Sequence, residues 1–159
     1  PVTGLAEGRP LFVRSVNDKF NLANFMRAHL HGAVSVLKIG NDILFNEEKI
    51  KVDRITGHGG LFKTKGVGQR ILAAALNSPI SVMETAGEGG AWGMALLGSY
   101  LVNNTGSRNL ADFLDHDVFA GDAGTSITPT KEEVEGFNAY LENYKQCLGV
   151  EIAAVEYKK

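Results

Sequence analysis

The sequence has one cysteine, no long apolar run and almost no net charge. Cys147 alone cannot form a disulfide within the chain, which suits a reducing compartment. No run approaches the about 20 apolar residues that cross a bilayer, and the N-terminus lacks a basic stretch followed by an apolar one. A formal charge of −2 gives no electrostatic basis for binding nucleic acid or an anionic membrane surface. We therefore expect a cytoplasmic protein without nucleic-acid or membrane partners.

The sequence also offers little from which a catalytic or metal centre could be built. His29 and His31 are two positions apart on a predicted helix, so they do not share a face. The hydroxyl residues show no nucleophile-elbow spacing, and no pair of carboxylates stands out. His58 lies among glycines, where both a ligand contact and a backbone hydrogen bond are open to it. We expect no metal site and no catalytic residue in this chain.

Two helices have clear sequence signals at their ends. Apolar residues at three- and four-residue spacings predict a helix over 21–40, capped by Asn21 or Asp18 and ended by Gly40. A last helix is predicted to begin at Thr130, because Glu133 completes a capping box, and to run to about Leu148.

Between these helices the pattern alternates. A short strand containing Val52 and Ile55 is followed by a helix over 67–76, a buried strand over 80–85 and an apolar helix over 94–103 that should pack against a sheet. Such alternation predicts an α/β domain whose parallel strands are joined by right-handed crossovers and covered by helices.

The length of 159 residues is that of one domain, which we divide into three segments. Residues 1–103 form the main body. Residues 104–130 are polar and rich in turn formers, which predicts a surface insertion or lid. Residues 131–159 form the final helix and tail.

Two glycine clusters follow the two predicted strands. Residues 57–64 match a P-loop except that Phe62 replaces its second glycine, which excludes a Walker loop. Residues 87–93 miss the dinucleotide fingerprint because Trp92 replaces a glycine. Both clusters should lie at the same sheet edge, where free backbone N–H groups favour an anion. Glycines that only form tight turns would give the same pattern.

The stretch "DRITGHGGLFKTKGVGQRILAAALNSPISVMETAGEGGAWGMALLGSYL" (53–101) resembles the C-terminal domain of the FGGY carbohydrate kinases, closest to the ribulokinase and xylulokinase branch. The helix "NFMRAHLHGAV" (24–34) is similar to the same family's helix, although His31 replaces its usual Glu. The resemblance covers roughly residues 8–103, and the G-G-x-x-K-[ST] loop with the following A-x-x-x-G-[AM]-A helix makes it specific.

The resemblance implies a fold and a set of ligand contacts. The fold would be one half of a ribonuclease H-like, actin and hexokinase type ATPase, with its sheet covered by helices and its first strands absent. The implied contacts are with the ATP phosphates for Gly59, Gly60 and Lys63, and with the nucleoside for Thr64. The second cluster would border the adenine pocket through Glu88, Gly89 and Gly93.

The activity implied is transfer of the ATP γ-phosphate, with Mg²⁺, to a hydroxyl of a pentulose such as xylulose or ribulose. The sugar site and the catalytic aspartate would lie in an N-terminal lobe that precedes this segment, so we expect the chain alone to be inactive. An uncovered sheet edge would allow a homodimer. Two alternatives are an actin-like nucleotide-binding regulatory module without transferase activity, and a dinucleotide oxidoreductase domain that rests only on Gly87, Gly89 and Gly93.

Overall fold

The computed structural model describes residues 3–104, 106, 108–120 and 124–157. It is helical with a small mixed sheet, which confirms the α/β class. The helices are α1 (Leu22–Asp42), α2 (Val67–Leu76), α3 (Gly89–Asn103), α4 (Leu110–Phe113) and α5 (Lys131–Glu156), and the strands are β1 (Ile55–Gly57), β2 (Ile80–Val82) and β3 (Thr125–Ile127). No helix in the described ranges is long and apolar enough to cross a membrane.

Helix α1 begins where the sequence predicts but ends later. The side chain of Asn21 accepts a hydrogen bond from the amide of Asn24 at 2.9 Å, which confirms Asn21 as the N-cap. The helix continues through Gly40 into a π-helical turn over Ile43–Glu47, so the predicted end is wrong. Glycine ends a helix when it adopts a left-handed conformation, and here the left-handed residue is Lys49, with φ of 56°.

The three strands form one sheet in the order β1-β2-β3. Strand β1 is parallel to β2, with Thr56 opposite Ser81, whereas β3 is antiparallel to β2, with Ser126 opposite Ser81. The prediction of a wholly parallel sheet is therefore wrong at β3. That strand has three residues at an exposed edge, so it lacks the apolar pattern from which strands are predicted.

The segment 104–130, predicted as a surface insertion or lid, is partly built into the fold. It contains α4, a π-helical turn over Leu114–Val118 and β3. The guanidinium of Arg108 pairs with the carboxylate of Asp117 at 2.9 Å, and its carbonyl accepts a hydrogen bond from the Tyr100 hydroxyl at 2.9 Å. Residues 105, 107 and 121–123 lie outside the described residues. The division of the chain at 103 and 130 stays a prediction.

The chain forms two compact units that interleave along the sequence. The first unit comprises the described residues of 1–53, 71–78 and 129–159, and it contains α1 and α5. The second comprises those of 54–70 and 79–128, and it contains the sheet, both glycine clusters, α3 and α4.

In the first unit, α1 packs against α5. Phe137 and Leu141 of α5 and Val34 of α1 are buried, and the hydroxyl of Tyr140 donates to the carbonyl of Ala28 at 3.2 Å. The imidazole of His31 lies beside the ring of Tyr140, with 5.0 Å between centroids.

Helix α5 has the predicted start. The Thr130 hydroxyl accepts from the amide of Glu133 at 3.2 Å, and the Glu133 carboxylate accepts from the amide of Thr130 at 2.9 Å, which confirms the capping box. The helix runs to Glu156 instead of Leu148. Gly149 lies inside it in a right-handed conformation, so the glycine does not stop the helix. Of the predicted tail, residues 158 and 159 lie outside the described residues.

His31 should make the stability of this chain depend on pH. Burial lowers the pKa of the His31 imidazole, and the charge of Arg27 lowers it further. The unfolded chain, in which the pKa is about 6.5, then binds the proton more readily than the folded chain, so stability is present above that pH and lost as pH falls below it. Urea unfolding at pH 7.5 and pH 5.5 should show a lower midpoint at pH 5.5.

The matched variant is H31Q, which keeps a polar side chain of similar length but does not titrate in this range. We expect the loss in midpoint between the two pH values to be smaller in H31Q than in the unchanged chain. An equal loss in both proteins would contradict a role for His31.

Candidate functional site

The parallel pairing of β1 and β2 brings the two glycine-rich segments together. The amide of Gly59, just after β1, donates to the carbonyl of Ala86, beyond β2, at 2.7 Å. The ammonium of Lys63 pairs with the carboxylate of Glu88 at 2.6 Å. Ala86 is only 1% exposed. The prediction that the two clusters lie at one sheet edge is therefore confirmed, within the second unit.

Phe62 shows why the first segment departs from a P-loop. Its ring lies against Gly57, where an added Cβ would overlap the ring atoms. Leu61 lies in the same way against Gly68, whose added Cβ would be 2.6 Å from Leu61 Cγ. Gly57, at the start of the segment, and Gly68, in α2, therefore make room for two apolar side chains of the segment, not for a ligand.

The central pair, Gly59 and Gly60, is different because its outer surface is open. No atom lies within 4 Å of a Cβ added to either residue. Gly59 has φ of 106° and ψ of −177°, a conformation that side-chain-bearing residues rarely adopt. Its amide is not bare, however, because it already donates to Ala86. The expectation of free amides at both glycines is thus wrong at Gly59.

Lys63 and Thr64 lie after a 3₁₀ turn over Gly60–Phe62. The amide of Lys63 donates to the carbonyl of Gly60 at 3.2 Å, and the carbonyl of Thr64 accepts from the amide of Val67 at 3.3 Å. Both side chains are exposed. These two hydrogen bonds form the turns that connect the open glycine pair to the start of α2.

The second segment is helical, not a loop. A 3₁₀ turn over Glu84–Glu88 leads straight into α3, so Gly89 is its first residue and Gly93 lies in its second turn. The Cβ of any larger residue at 89 would be 3.2 Å from His58 Nδ1, whereas Gly93 faces open space. Gly89 therefore permits close contact with the first segment, which a motif based on loop spacing does not reveal.

The Lys63–Glu88 pair joins two residues that the sequence assigns separately to a ligand. The hydrogen bond and the charge of Lys63 lower the pKa of the Glu88 carboxyl. Both side chains are mostly exposed, so the pair is screened by salt and readily exchanged. Lys63 is therefore available to another anion, and Glu88 competes for it. Their opposite charges, on two segments predicted to adjoin, are compatible with a pair but do not specify it.

The arrangement suits binding more than chemistry. It presents open backbone at Gly59 and Gly60 together with the ammonium of Lys63, and such groups hold phosphate or carboxylate oxygens. Across the described ranges, no three His, Cys, Asp or Glu side chains are grouped so that they could hold a metal ion.

Comparison with known proteins adds a family to this geometry. The model of the FGGY family of carbohydrate kinases, C-terminal domain, matches residues 2–102. The matched range includes α1, both glycine segments and nearly all of α3. No curated protein and no solved structure gives a significant match.

The packing of Phe62 on Gly57 predicts a strong coupling between the two positions. G57A should lower the free energy of unfolding by roughly 1–3 kcal/mol, because the new methyl group overlaps the Phe62 ring. In an F62A background the same change should cost little, since the ring is gone. A double-mutant cycle by urea unfolding measures the coupling.

G60A is the control for this cycle, because Gly60 has right-handed φ and open space at the Cβ position. We expect it to change the free energy of unfolding by no more than about 0.5 kcal/mol. Equal costs of G57A with and without Phe62 would contradict the packing.

Proposed function

Because the chain belongs to the FGGY family of carbohydrate kinases and is a C-terminal part of such an enzyme, we propose that it is the nucleotide-binding portion of an ATP-dependent sugar kinase. The observation that carries the proposal is the open backbone of Gly59 and Gly60, in the same segment as Lys63, whose exposed ammonium is held only by Glu88 among the described residues. Triphosphate oxygens need close approach to the main chain and positive charge, and both are present at this one sheet edge.

The residues at this edge fit ATP, and each has a proposed role. Gly59 and Gly60 approach the phosphates, Lys63 adds a charge-assisted hydrogen bond to them, and Thr64 contacts the nucleoside. The start of α3, with Glu88, Gly89 and Gly93, borders the adenine. Glu88 also holds Lys63 when no nucleotide is bound. When bound, ATP supplies the transferable phosphoryl group, and Mg²⁺ arrives with it.

We propose a pentulose such as xylulose or ribulose as the acceptor, on the likeness to the ribulokinase and xylulokinase branch. Phosphoryl transfer depends on aligning two substrates and stabilising charge between them. The glycine edge supplies positioning for one of the two substrates. We therefore assign the sugar site and the base to an N-terminal lobe, and we expect this chain alone to be inactive.

Two features of the second unit support a larger assembly around it. Within the described ranges, β1 pairs with a strand on one side only. Helix α3 has no buried residue, although it was predicted to pack against a sheet, and Met94, Leu101 and Val102 are exposed. A free strand edge and an apolar helix surface are normally covered by other protein. We propose that strands of a ribonuclease H-like lobe cover them, or a second copy of the chain in a homodimer.

Three substitutions test the nucleotide site by calorimetric titration of the chain with ATP. G60V should weaken binding about tenfold, because it fills the open space above the glycine pair. K63M should weaken binding about threefold, since Lys63 is exposed, and E88Q should strengthen it by a similar factor by releasing Lys63.

The control is K51Q, which removes an exposed cation outside the site. Thermal unfolding of every variant checks that the fold is kept. If ATP binds equally to all variants, or if E88Q weakens binding as much as K63M does, the proposed roles are wrong.

A second measurement tests whether the sugar site and the catalytic base lie in a different lobe from the nucleotide site. Incubated with Mg-ATP and a panel of ketopentoses, the chain alone should form no sugar phosphate, whereas a longer polypeptide with the proposed N-terminal lobe should form it. Tighter ATP binding in the presence of a sugar, in the longer polypeptide, would favour a kinase over a regulatory module. Robust turnover by the chain alone would overturn the assignment of the base to another lobe.

A further inference from the structure

The two faces of the sheet differ in chemistry. One face carries Gly57 and the side chain of Ile80, and both residues are buried. The alternate positions, Thr56 on β1 and Ser81 on β2, are partners in register and point to the other face. The amide of Gln69, only 4% exposed, donates to the carbonyls of Ile80 and Thr125, which links β2 to β3. The sheet thus presents a firmly held polar face.

A pocket of about 430 Å³ opens on this polar face. Thr56 and Ser81 line it, and so does Arg54, two residues before Thr56 in the sequence. Asp115 of the π-helical turn and Phe119, the residue after that turn, also line the pocket. The volume lies in the range of small-molecule sites, about 300–1,000 Å³. All lining residues belong to the second unit.

Arg54 gives the pocket a permanent positive charge. Its guanidinium stays protonated at any physiological pH, and its planar fork fits two oxygens of a phosphate or carboxylate. Among the residues that the structure describes, no carboxylate forms an ion pair with it. The arginine is therefore free to bind an anionic group of a ligand.

The other polar groups suit a molecule with several hydroxyls. The hydroxyl of Ser81 donates only a long bond, 3.5 Å, to that of Ser126, and no hydrogen bond within the described residues occupies the side chains of Thr56 or Asp115. Neighbouring hydroxyls and a carboxylate can accept from and donate to adjacent hydroxyl groups of a ligand.

An apolar surface completes the pocket. Phe119 packs against Trp92 with 5.7 Å between ring centroids, which restrains the Phe119 ring, and Met83, the residue after β2, also lines the pocket. Such a surface can cover the C–H face of a small ring. An apolar wall with a few convergent polar groups is the usual composition of a small-molecule site.

From this combination we propose that the polar face of the sheet binds a phosphorylated sugar. Arg54 holds the phosphate, Asp115, Thr56 and Ser81 hold the hydroxyls, and Phe119 covers the ring. The site is separate from the glycine pair, which does not line the pocket. His58 lines the pocket and also lies against Gly89 at the start of α3, so the two sites adjoin.

Ribose 5-phosphate is the probe, with ribose and inorganic phosphate as separate arms. The isotopically labelled chain is titrated with each compound and followed by NMR, which gives both an affinity and the residues whose signals move. We expect shifts at Thr56, Ser81 and Phe119, and tighter binding of ribose 5-phosphate than of either part.

Two variants test the roles, and both change exposed side chains. R54Q should weaken ribose 5-phosphate about tenfold or more, as expected for loss of a charge-assisted hydrogen bond, and leave ribose unchanged. D115N should weaken ribose 5-phosphate and ribose alike and leave inorganic phosphate unchanged. K51Q, which removes an exposed cation three residues before Arg54 in the sequence that does not line the pocket, should change none of them.

The proposal is overturned if ribose 5-phosphate does not bind, or if R54Q and K51Q bind it equally. It is also overturned if inorganic phosphate binds as tightly and D115N has no effect on the sugar phosphate, because the pocket would then be a simple anion site. Shifts confined to Gly59 and Gly60 would place the ligand at the other site. The outcome does not depend on ATP binding, so it separates this proposal from the nucleotide site.

Discussion

The parallel pairing of β1 and β2 is the constraint on which the candidate site depends. With Gly57 opposite Val82, the two strands end at the same level, and the segments that follow them meet. The bond from the amide of Gly59 to the carbonyl of Ala86 then fixes that meeting. A slip of one residue in the pairing would turn every side chain of one strand to the opposite face, and would also separate this donor from its acceptor.

Glycines within and just after the first segment have two different structural roles. These roles explain why the segment resembles a P-loop without being one. At Gly57 and Gly68 the missing side chain makes room for Phe62 and Leu61, so these apolar side chains pin the segment to itself. Only the central pair keeps open backbone. A Walker loop wraps its phosphate and cannot carry a phenylalanine at its second glycine, whereas here the Phe62 ring packs against Gly57.

Local signals were readable from the sequence, and partnerships between distant residues were not. The bounds of α2, the Asn21 cap and the Thr130 capping box depend on neighbours within four residues, and the structure has all three as predicted. Strand β3 forms because it can pair with the edge of β2. The Lys63–Glu88 pair forms because β1 and β2 end at the same level, which brings the two following segments together. No pattern within either segment specifies these contacts. The ligand roles of the site residues stay predictions for the same reason, since they depend on a partner molecule.

The second unit has an exposed apolar helix surface and a free strand edge within the described ranges, and both bear on what its glycine edge can do. Helix α3 is apolar on more than one side, with Met94 70%, Leu101 77% and Val102 84% exposed, and β1 has a free edge within the described ranges. Water around an open site screens the attraction between Lys63 and a phosphate, and it weakens every charge that could stabilise transfer. Protein that covers α3 and β1 would remove that water from the same edge. We therefore expect the surfaces that complete the fold and those that complete the proposed nucleotide site to be the same.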